Sequence, residues 1–222
     1  MRFTVLGAGS WGTALAMQLA RNEETVLWGR NKAGMEAMQQ SRSNTQYLPG
    51  IKFPEKLIIE TDLAKAIAQS EAVLVVCPSH AFGDILRRVK PLLGNRPLAW
   101  ASKGFEPGTG RFLHEVADEI LGNSVPMALV TGPSFAKDVA MNKPTLVAVA
   151  SKHEVFAKQL SLALRTSNFR TYLSDDVIGA ELGGAVKNVL ALATGIADGM
   201  ELGDNTRAAL MTRGMAEMIR LG

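Results

Sequence analysis

The chain has 222 residues, of which 47% are hydrophobic and 20% are charged, and this length suits one large or two modest soluble domains. Its 24 basic and 21 acidic residues leave a net charge of +3 without any dense Lys/Arg run, which favours an anionic small molecule as ligand over nucleic acid. No uncharged apolar run reaches the ~20 residues that span a bilayer, so we expect no stable membrane insertion.

The first predicted element is a strand over residues 3–6, which runs into the segment Gly7–Gly12 and then into an Ala/Leu-rich helix. The segment has the G-x-G-x-x-G spacing of dinucleotide-binding units. In such units Gly7 would make the turn, Gly9 would let the backbone approach a pyrophosphate, and Gly12 would let the helix pack on the strand. A glycine-rich turn can also be only a turn, but its place between strand and helix predicts bound NADP(H) or NAD(H).

The second predicted strand, over 24–28, ends just before Arg30. In NAD-preferring units an acidic residue usually stands at this place and accepts hydrogen bonds from the adenosine ribose. A guanidinium can instead pair with a 2′-phosphate, which favours NADP(H). The simpler alternative for Arg30 is a solvated surface arginine.

Helices and strands then alternate along the chain. Helices are predicted over 31–41, 63–69, 81–93, 111–121 and 152–164, and strands over 57–59, 72–77, 97–101, 127–130, 145–150 and 169–173. This alternation predicts an α/β fold with a Rossmann-like, doubly wound and mostly parallel sheet. The single cysteine, Cys77, ends one of the strands, which indicates a core thiol in a reducing compartment. Because the first strand begins at residue 3, no room is left for a signal peptide, and we expect a cytoplasmic protein.

Three loops follow strands at the carboxyl edge of the predicted sheet, where open α/β sheets bind ligands. Phe82 follows the strand over 72–77 and can lie against a nicotinamide or adenine ring, or simply pack in the core. Lys103 follows the strand over 97–101, where it can anchor a phosphate or a carbonyl oxygen instead of being solvated. Ser134 lies in the third loop, whose hydroxyl and backbone N–H groups are available to an oxyanion.

The pattern changes after the last strand, since only helices, over 177–198 and 206–221, are predicted from there on. We therefore expect a dinucleotide-binding domain over 1–175 and the first part of an all-helical substrate domain over 176–222. Lys187 stands in the first of these helices among small and apolar residues, as either a snorkelling surface lysine or a functional group.

Several motifs of the chain occur in the same order in one enzyme family. They are Gly7–Ala16, Pro78–Phe82, Ser102–Phe105, Gly132–Ala136, Gly184–Val189, Gly195–Gly199 and Gly203–Ala209. With them the sequence resembles the bacterial, soluble type of NAD(P)-dependent glycerol-3-phosphate dehydrogenase. The resemblance implies a reversible hydride transfer between a nicotinamide nucleotide and the C2 carbon of dihydroxyacetone phosphate or sn-glycerol 3-phosphate, which supplies the backbone of membrane phospholipids.

The resemblance also implies roles for individual residues. By the family pattern the cofactor would be lined by Ser10, Trp11, Arg30, Tyr47 and Ala136. Lys103 would touch both cofactor and substrate, Gly132 and Ser134 would touch the substrate, and Lys187 would be the proton donor and acceptor. We expect no metal ion in this site.

A lysine with its usual pKa of ~10.4 exchanges protons poorly near neutral pH. We therefore predict that the apolar helix and a second cation, Lys103, lower the pKa of Lys187 toward ~7–8. In this hypothesis Lys103 polarises the substrate oxygen and holds the phosphate, while Lys187 moves the proton.

Family members continue beyond the end of this chain, and their further stretch holds an Arg-Asn pair that grips the substrate phosphate and an acidic residue beside the catalytic lysine. The resemblance therefore covers the cofactor domain and the first part of the substrate domain, and it implies a homodimer. Two alternatives stay open. One is a hydroxy-acid dehydrogenase of the 3-hydroxyisobutyrate or 6-phosphogluconate type, and the other is a nucleotide-binding module without catalysis.

Overall fold

The computed structural model describes residues 1–221 as one eight-stranded sheet with helices packed on it, followed by two long helices. The strands are β1 (Phe3–Leu6), β2 (Thr25–Trp28), β3 (Leu57–Glu60), β4 (Ala72–Val75), β5 (Leu98–Trp100), β6 (Met127–Thr131), β7 (Thr145–Ala150) and β8 (Phe169–Ser174). The helices are α1 (Ser10–Ala20), α2 (Lys32–Ser41), α3 (Leu63–Ala68), α4 (Phe82–Leu93), α5 (Leu113–Leu121), α6 (Ala136–Ala140), α7 (Glu154–Leu164), α8 (Val177–Gly199) and α9 (Gly203–Leu221), with one 3-10 turn at Ser79–Ala81. The predicted Rossmann-like α/β fold with a helical C-terminal region is confirmed. Of the region predicted over 176–222, Gly222 lies outside the described residues.

The strand order is β3-β2-β1-β4-β5-β6-β7-β8. Neighbouring strands from β3 through β6 pair in parallel, whereas β7 pairs antiparallel with β6 and parallel with β8. The sheet is therefore mostly parallel, and its last two strands run in reverse. From β1 the chain first adds β2 and β3 on one side of that strand, and it then crosses to β4 on the other side of β1. Doubly wound sheets bind ligands at the carboxyl edge of such a switch point.

Two hydrophobic cores cover the two faces of the sheet, which explains why its central strands are apolar along their whole length. Every residue of β1, β2 and β4 is buried. Leu15 of α1 and Leu160 of α7 belong to one core, and Leu86 of α4 and Val116 of α5 belong to the other. Because both faces of the sheet are covered, the loops with polar residues lie at its carboxyl edge.

Phe82 opens α4 and is completely buried, with its ring centroid 6.2 Å from that of Trp100. The sequence allowed either a cofactor contact or packing for this residue, and the structure shows packing. A ring without exposed surface cannot stack on a nicotinamide or adenine ring, so the predicted cofactor contact of Phe82 is corrected.

Several local boundaries also differ from the predicted ones. Because β4 ends at Val75, Cys77 lies half-buried in the following loop, where burial raises the pKa of its thiol. A short helix, α6, follows the predicted loop that carries Ser134. Helix α9 begins at Gly203, whose φ of +80° completes the turn after α8 and lets the helix start earlier than predicted.

Within residues 1–221, one helix, α8, has the length and composition that could cross a membrane, with a mean hydropathy of 1.3 over its most apolar window. Two charged side chains within this helix pair with backbone groups earlier in the chain: Glu181 accepts from the N–H of Leu113, and Lys187 donates to the carbonyl oxygen of Gly132. The interior charges of α8 are therefore paired with protein groups.

Candidate functional site

The glycine segment joins β1 to α1 at the switch point, and its three motif glycines meet different surroundings. Gly7 has φ +130°, and a Cβ there would lie 1.9 Å from the carbonyl oxygen of Val76. A Cβ on Gly12 would lie 1.8 Å from the carbonyl oxygen of Gly7, whereas a Cβ on Gly9 would meet nothing within 4 Å. Two of the glycines therefore serve close backbone packing, and Gly9 leaves an open surface in front of α1.

The start of α1 is suited to an anion. Its N-cap residue, Gly9, has no side chain with which to satisfy the first-turn N–H groups, and no acidic residue stands in that turn. Backbone N–H groups at a helix start, together with the helix dipole, favour a bound phosphate by roughly 0.3–1 kcal/mol. The open surface at Gly9 and these donors fit the pyrophosphate of a dinucleotide.

Arg30 is exposed and stands beside the glycine segment. The carbonyl oxygen of Trp28, at the end of β2, accepts a 2.8 Å hydrogen bond from the N–H of Gly7. The next residue, Gly29, packs so closely that a Cβ there would lie 2.8 Å from the Cβ of Ala8. These contacts hold the end of β2 against the glycine segment, so the position of Arg30 relative to that segment is fixed by backbone.

Asn44 is a residue of the site that the sequence analysis missed. Its side chain is completely buried and donates from Nδ2 to the carbonyl oxygen of Ala8 at 3.1 Å and to Thr13 Oγ1 at 2.8 Å. Its Oδ1 accepts a 3.3 Å hydrogen bond from the backbone N–H of Tyr47, a residue that is 49% exposed. One amide thereby ties the loop that carries Tyr47 to the glycine segment and to α1.

Lys103 lies in the loop that follows β5, next to the glycine segment at the carboxyl edge of the sheet. Its Nζ lies 5.0 Å from the centroid of the Trp11 ring, an arrangement that favours the ammonium form through the ring quadrupole. Trp11 belongs to the first turn of α1. Lys103 is therefore held next to the first-turn N–H groups of α1.

Lys187 reaches the same edge from α8. Its Nζ donates a 3.1 Å hydrogen bond to the carbonyl oxygen of Gly132, which also accepts a 3.4 Å hydrogen bond from Ser134 Oγ. Gly184 permits this close approach of α8, because a Cβ there would lie 2.5 Å from Thr131 Oγ1 at the end of β6. The structure brings together the residues predicted to touch substrate, which are Lys103, Gly132, Ser134 and Lys187.

The two lysines influence each other. The pKa of Lys103 is lowered to about 7, first by burial and then by the charge of Lys187 and hydrogen bonding with it. Lys103 is enclosed between Trp11 and α8, and Lys187 is the second cation that lowers its pKa. A lysine with this pKa can give up its proton near neutral pH.

The remaining predicted residues lie around this centre. Ala136 opens α6 and is half-buried against the core that contains α1. In the described part of the chain, no group of three or more His, Cys, Asp or Glu side chains is placed to hold a metal ion.

Two family models match the chain. The one described as NAD-dependent glycerol-3-phosphate dehydrogenase N-terminus matches residues 2–157, and the one described as the C-terminus of the same enzyme matches residues 176–222. A glycerol-3-phosphate dehydrogenase (NAD(P)+) of Stenotrophomonas maltophilia strain K279a is 56% identical over 99% of this chain. One of Xanthomonas oryzae pv. oryzae is 55% identical over the same share. The chain spans 65% of the length of these curated relatives.

Solved structures of similar proteins have the same fold. A glycerol-3-phosphate dehydrogenase from Coxiella burnetii superposes with a TM-score of 0.93 at 47% identity, and the match covers 99% of this chain and 68% of that one. The enzyme of the same name from Saccharomyces cerevisiae gives a TM-score of 0.85 at 27% identity, over 100% of this chain and 70% of that one.

Proposed function

The chain belongs to the NAD-dependent glycerol-3-phosphate dehydrogenase family, and on that premise we propose that it catalyses reversible hydride transfer between NAD(P)H and the C2 carbon of dihydroxyacetone phosphate. The product in the reducing direction is sn-glycerol 3-phosphate. One observation carries the proposal: lysines from the sheet and from the helical region meet beside an open, uncapped start of α1.

The glycine segment and its surroundings would hold the cofactor. The first-turn N–H groups of α1 would hold its pyrophosphate, Gly9 would leave room for it, and Tyr47 and Ala136 would line it. When bound, the nicotinamide nucleotide supplies or accepts the hydride. Every other part of the reaction falls to side chains of the protein, which must bind the ketone, neutralise its phosphate and move one proton.

The two lysines, Lys103 and Lys187, would polarise the oxygen on C2 and move the proton. In the reducing direction Lys187 Nζ gives its proton to the oxygen on C2 as that oxygen becomes an alkoxide, and in the oxidising direction it removes the hydroxyl proton. Lys103 polarises the same oxygen as a hydrogen-bond donor. Burial and the charge of Lys187 lower the pKa of Lys103 to about 7, so Lys103 itself can give or take up a proton near neutral pH.

The loop after β6 would form the remaining wall of the substrate site. Lys187 Nζ and Ser134 Oγ both donate to the carbonyl oxygen of Gly132, so the Ser134 hydroxyl and the backbone at Gly132 lie close to Lys187. Substrate would replace Gly132 as the partner of Lys187. The two lysines provide the positive charge that an anionic phosphate ester requires.

We infer that Arg30 sets a preference for NADPH through the adenosine 2′-phosphate. Arg30→Asp is expected to weaken NADPH binding by about tenfold or more, which is about 1.4 kcal/mol, and to leave NADH binding unchanged or improved. The reason is that the substitution replaces a partner of the phosphate with a like charge. Titration of both nucleotides against the protein's tryptophan fluorescence measures the effect. An equal loss for both nucleotides would show that Arg30 does not read the 2′-phosphate.

We further propose a division of the chain at residue 175, a homodimer and a cytoplasmic location. The division is supported by the end of β8 at Ser174 and by the all-helical course of residues 177–221. Association is supported by large apolar side chains that stand exposed on α8 and α9, among them Val189, Leu192, Ile196, Met215 and Ile219. The proposed reaction is tested by ketone-dependent oxidation of NADPH, and nucleotide binding without that oxidation would favour the non-catalytic alternative.

A further inference from the structure

Glu181 is a buried carboxylate that the proposed chemistry does not use. It belongs to α8, its residue is only 4% exposed, and all of its hydrogen-bond donors come from the first turn of α5. Glu181 Oε1 accepts from the backbone N–H of Leu113 at 2.9 Å, and Oε2 lies 2.6 Å from His114 Nδ1. A weaker contact of 3.5 Å joins Oε2 to the backbone N–H of His114.

These contacts place a negative charge at the positive end of α5. A carboxylate that accepts from first-turn N–H groups satisfies donors that the helix cannot satisfy itself and interacts favourably with the helix dipole. Because the carboxylate is supplied by α8 and the donors by α5, the interaction joins the helical region to the sheet domain. It is therefore a contact between the two regions and not a local cap.

Glu181, Gly184 and Lys187 all contact groups outside the helical region, and their directions span about 120° around α8. Gly184, three residues after Glu181, packs on Thr131, and Lys187, six residues after it, donates to Gly132. At 1.5 Å per residue, Lys187 is about 9 Å further along the helix axis than Glu181. The described buried residues of α8 before Lys187 are Val177, Glu181 and Gly184, so the carboxylate is the ionic member of a small docking surface.

We propose that Glu181, held by the first turn of α5, is a positioning residue that fixes the register of α8 on the sheet and so places Lys187 Nζ beside Gly132 and Lys103. Sliding or rotation of α8 that displaced the lysine would also break the three contacts of the carboxylate. Gly184 lets α8 pack closely on Thr131, but it has no side chain that could hold the helix at one position along its axis. Burial also raises the pKa of Glu181, opposed by its contacts with His114 and Leu113, so the carboxylate depends on those partners for its charge.

The inference deepens the proposed function and rests on it, but its test does not require turnover. Lys103 has a pKa of about 7 partly because Lys187 is held near it. Loss of the correct position of Lys187 must therefore raise the pKa of Lys103. The pH dependence of labelling of Lys103 by an amine-reactive reagent, read on its peptide by mass spectrometry, measures that pKa in the whole chain.

Glu181→Ala is expected to raise the pKa of Lys103 by about one unit or more, since it removes the anchor of α8. Glu181→Gln keeps the acceptor for Leu113 and can pair with the other tautomer of His114, so it is expected to restore most of the wild-type value. The matched control is Leu160→Ala in α7, which removes a buried side chain from the other hydrophobic core and should lower Tm without changing the pKa of Lys103.

An unchanged pKa of Lys103 in Glu181→Ala would overturn the proposal, and so would an equal rise in Leu160→Ala. If Glu181→Ala does not fold, His114→Ala makes the same test, because it removes one partner of the carboxylate and is expected to raise the pKa of Lys103 by a smaller amount. Failure of the proposed reaction would leave these titrations interpretable, since they depend only on where Lys187 stands.

Discussion

Replacing Lys187 by methionine is expected to abolish ketone-dependent oxidation of NADPH while leaving the affinity for NADPH within about threefold of its original value. Removal of a positioned proton donor typically costs about 10²–10⁴ in rate. Methionine keeps the length of the side chain but carries no proton. The nucleotide is expected to bind as before, because the hydrogen bond of Lys187 goes to Gly132 and not to the glycine segment. Steady-state rates with dihydroxyacetone phosphate and fluorescence titration of NADPH measure the two effects separately.

The matched control is Lys158→Met, which removes an exposed lysine paired with Glu154 on α7 and should leave both quantities unchanged. The Lys187 variant has a second expected consequence that does not depend on turnover. The pKa of Lys103 should rise from about 7, because the neighbouring charge that lowers it is gone. A rate within about tenfold of the original would contradict the assignment of Lys187 as the proton donor.

Gly9→Ala and Gly12→Ala are expected to separate nucleotide binding from stability. Gly9 has φ −74° and ψ −176°, which alanine adopts freely, and its added Cβ meets nothing in the protein. Its Cβ would instead occupy the surface that the pyrophosphate approaches, so NADPH affinity should fall by about tenfold or more with little change in Tm.

Gly12→Ala should lose stability as well as binding. Alanine ordinarily stabilises a helix by about 1 kcal/mol relative to glycine. Here the new Cβ would lie 1.8 Å from the carbonyl oxygen of Gly7, and neither backbone segment can move without breaking the turn. Overpacking of this kind costs about 1–3 kcal/mol or more, so the sign of the usual helix effect is reversed. Thermal unfolding with and without NADPH measures both variants, and a stable Gly9→Ala protein with unaltered affinity would contradict the account of the glycine segment.

The strands and the glycine segment could be predicted because their signals are local. A run of buried apolar residues followed by glycines at fixed spacing indicates the same structure wherever it occurs, and the structure bears this out at Gly7 and Gly12. The reversal of β7 and β8 could not be predicted, because an apolar run does not encode the direction of its strand.

The polar contacts between distant segments were also beyond the sequence. Asn44 hydrogen-bonds to Ala8 and Thr13, and Glu181 hydrogen-bonds to the first turn of α5. In both cases the partners are distant in the chain. The two lysines were recognised from their places after a strand and in an apolar helix. The lowered pKa of Lys103 depends on its burial and on the nearby charge of Lys187, and both are properties of the packed structure.

The oxidation of NADPH by this chain, followed at 340 nm with and without dihydroxyacetone phosphate and repeated with NADH, tests the proposed function most directly. The account predicts oxidation that requires the ketone and is lost in the Lys187→Met variant. A chain that binds NADPH but oxidises it no faster when the ketone is present would contradict the proposed activity.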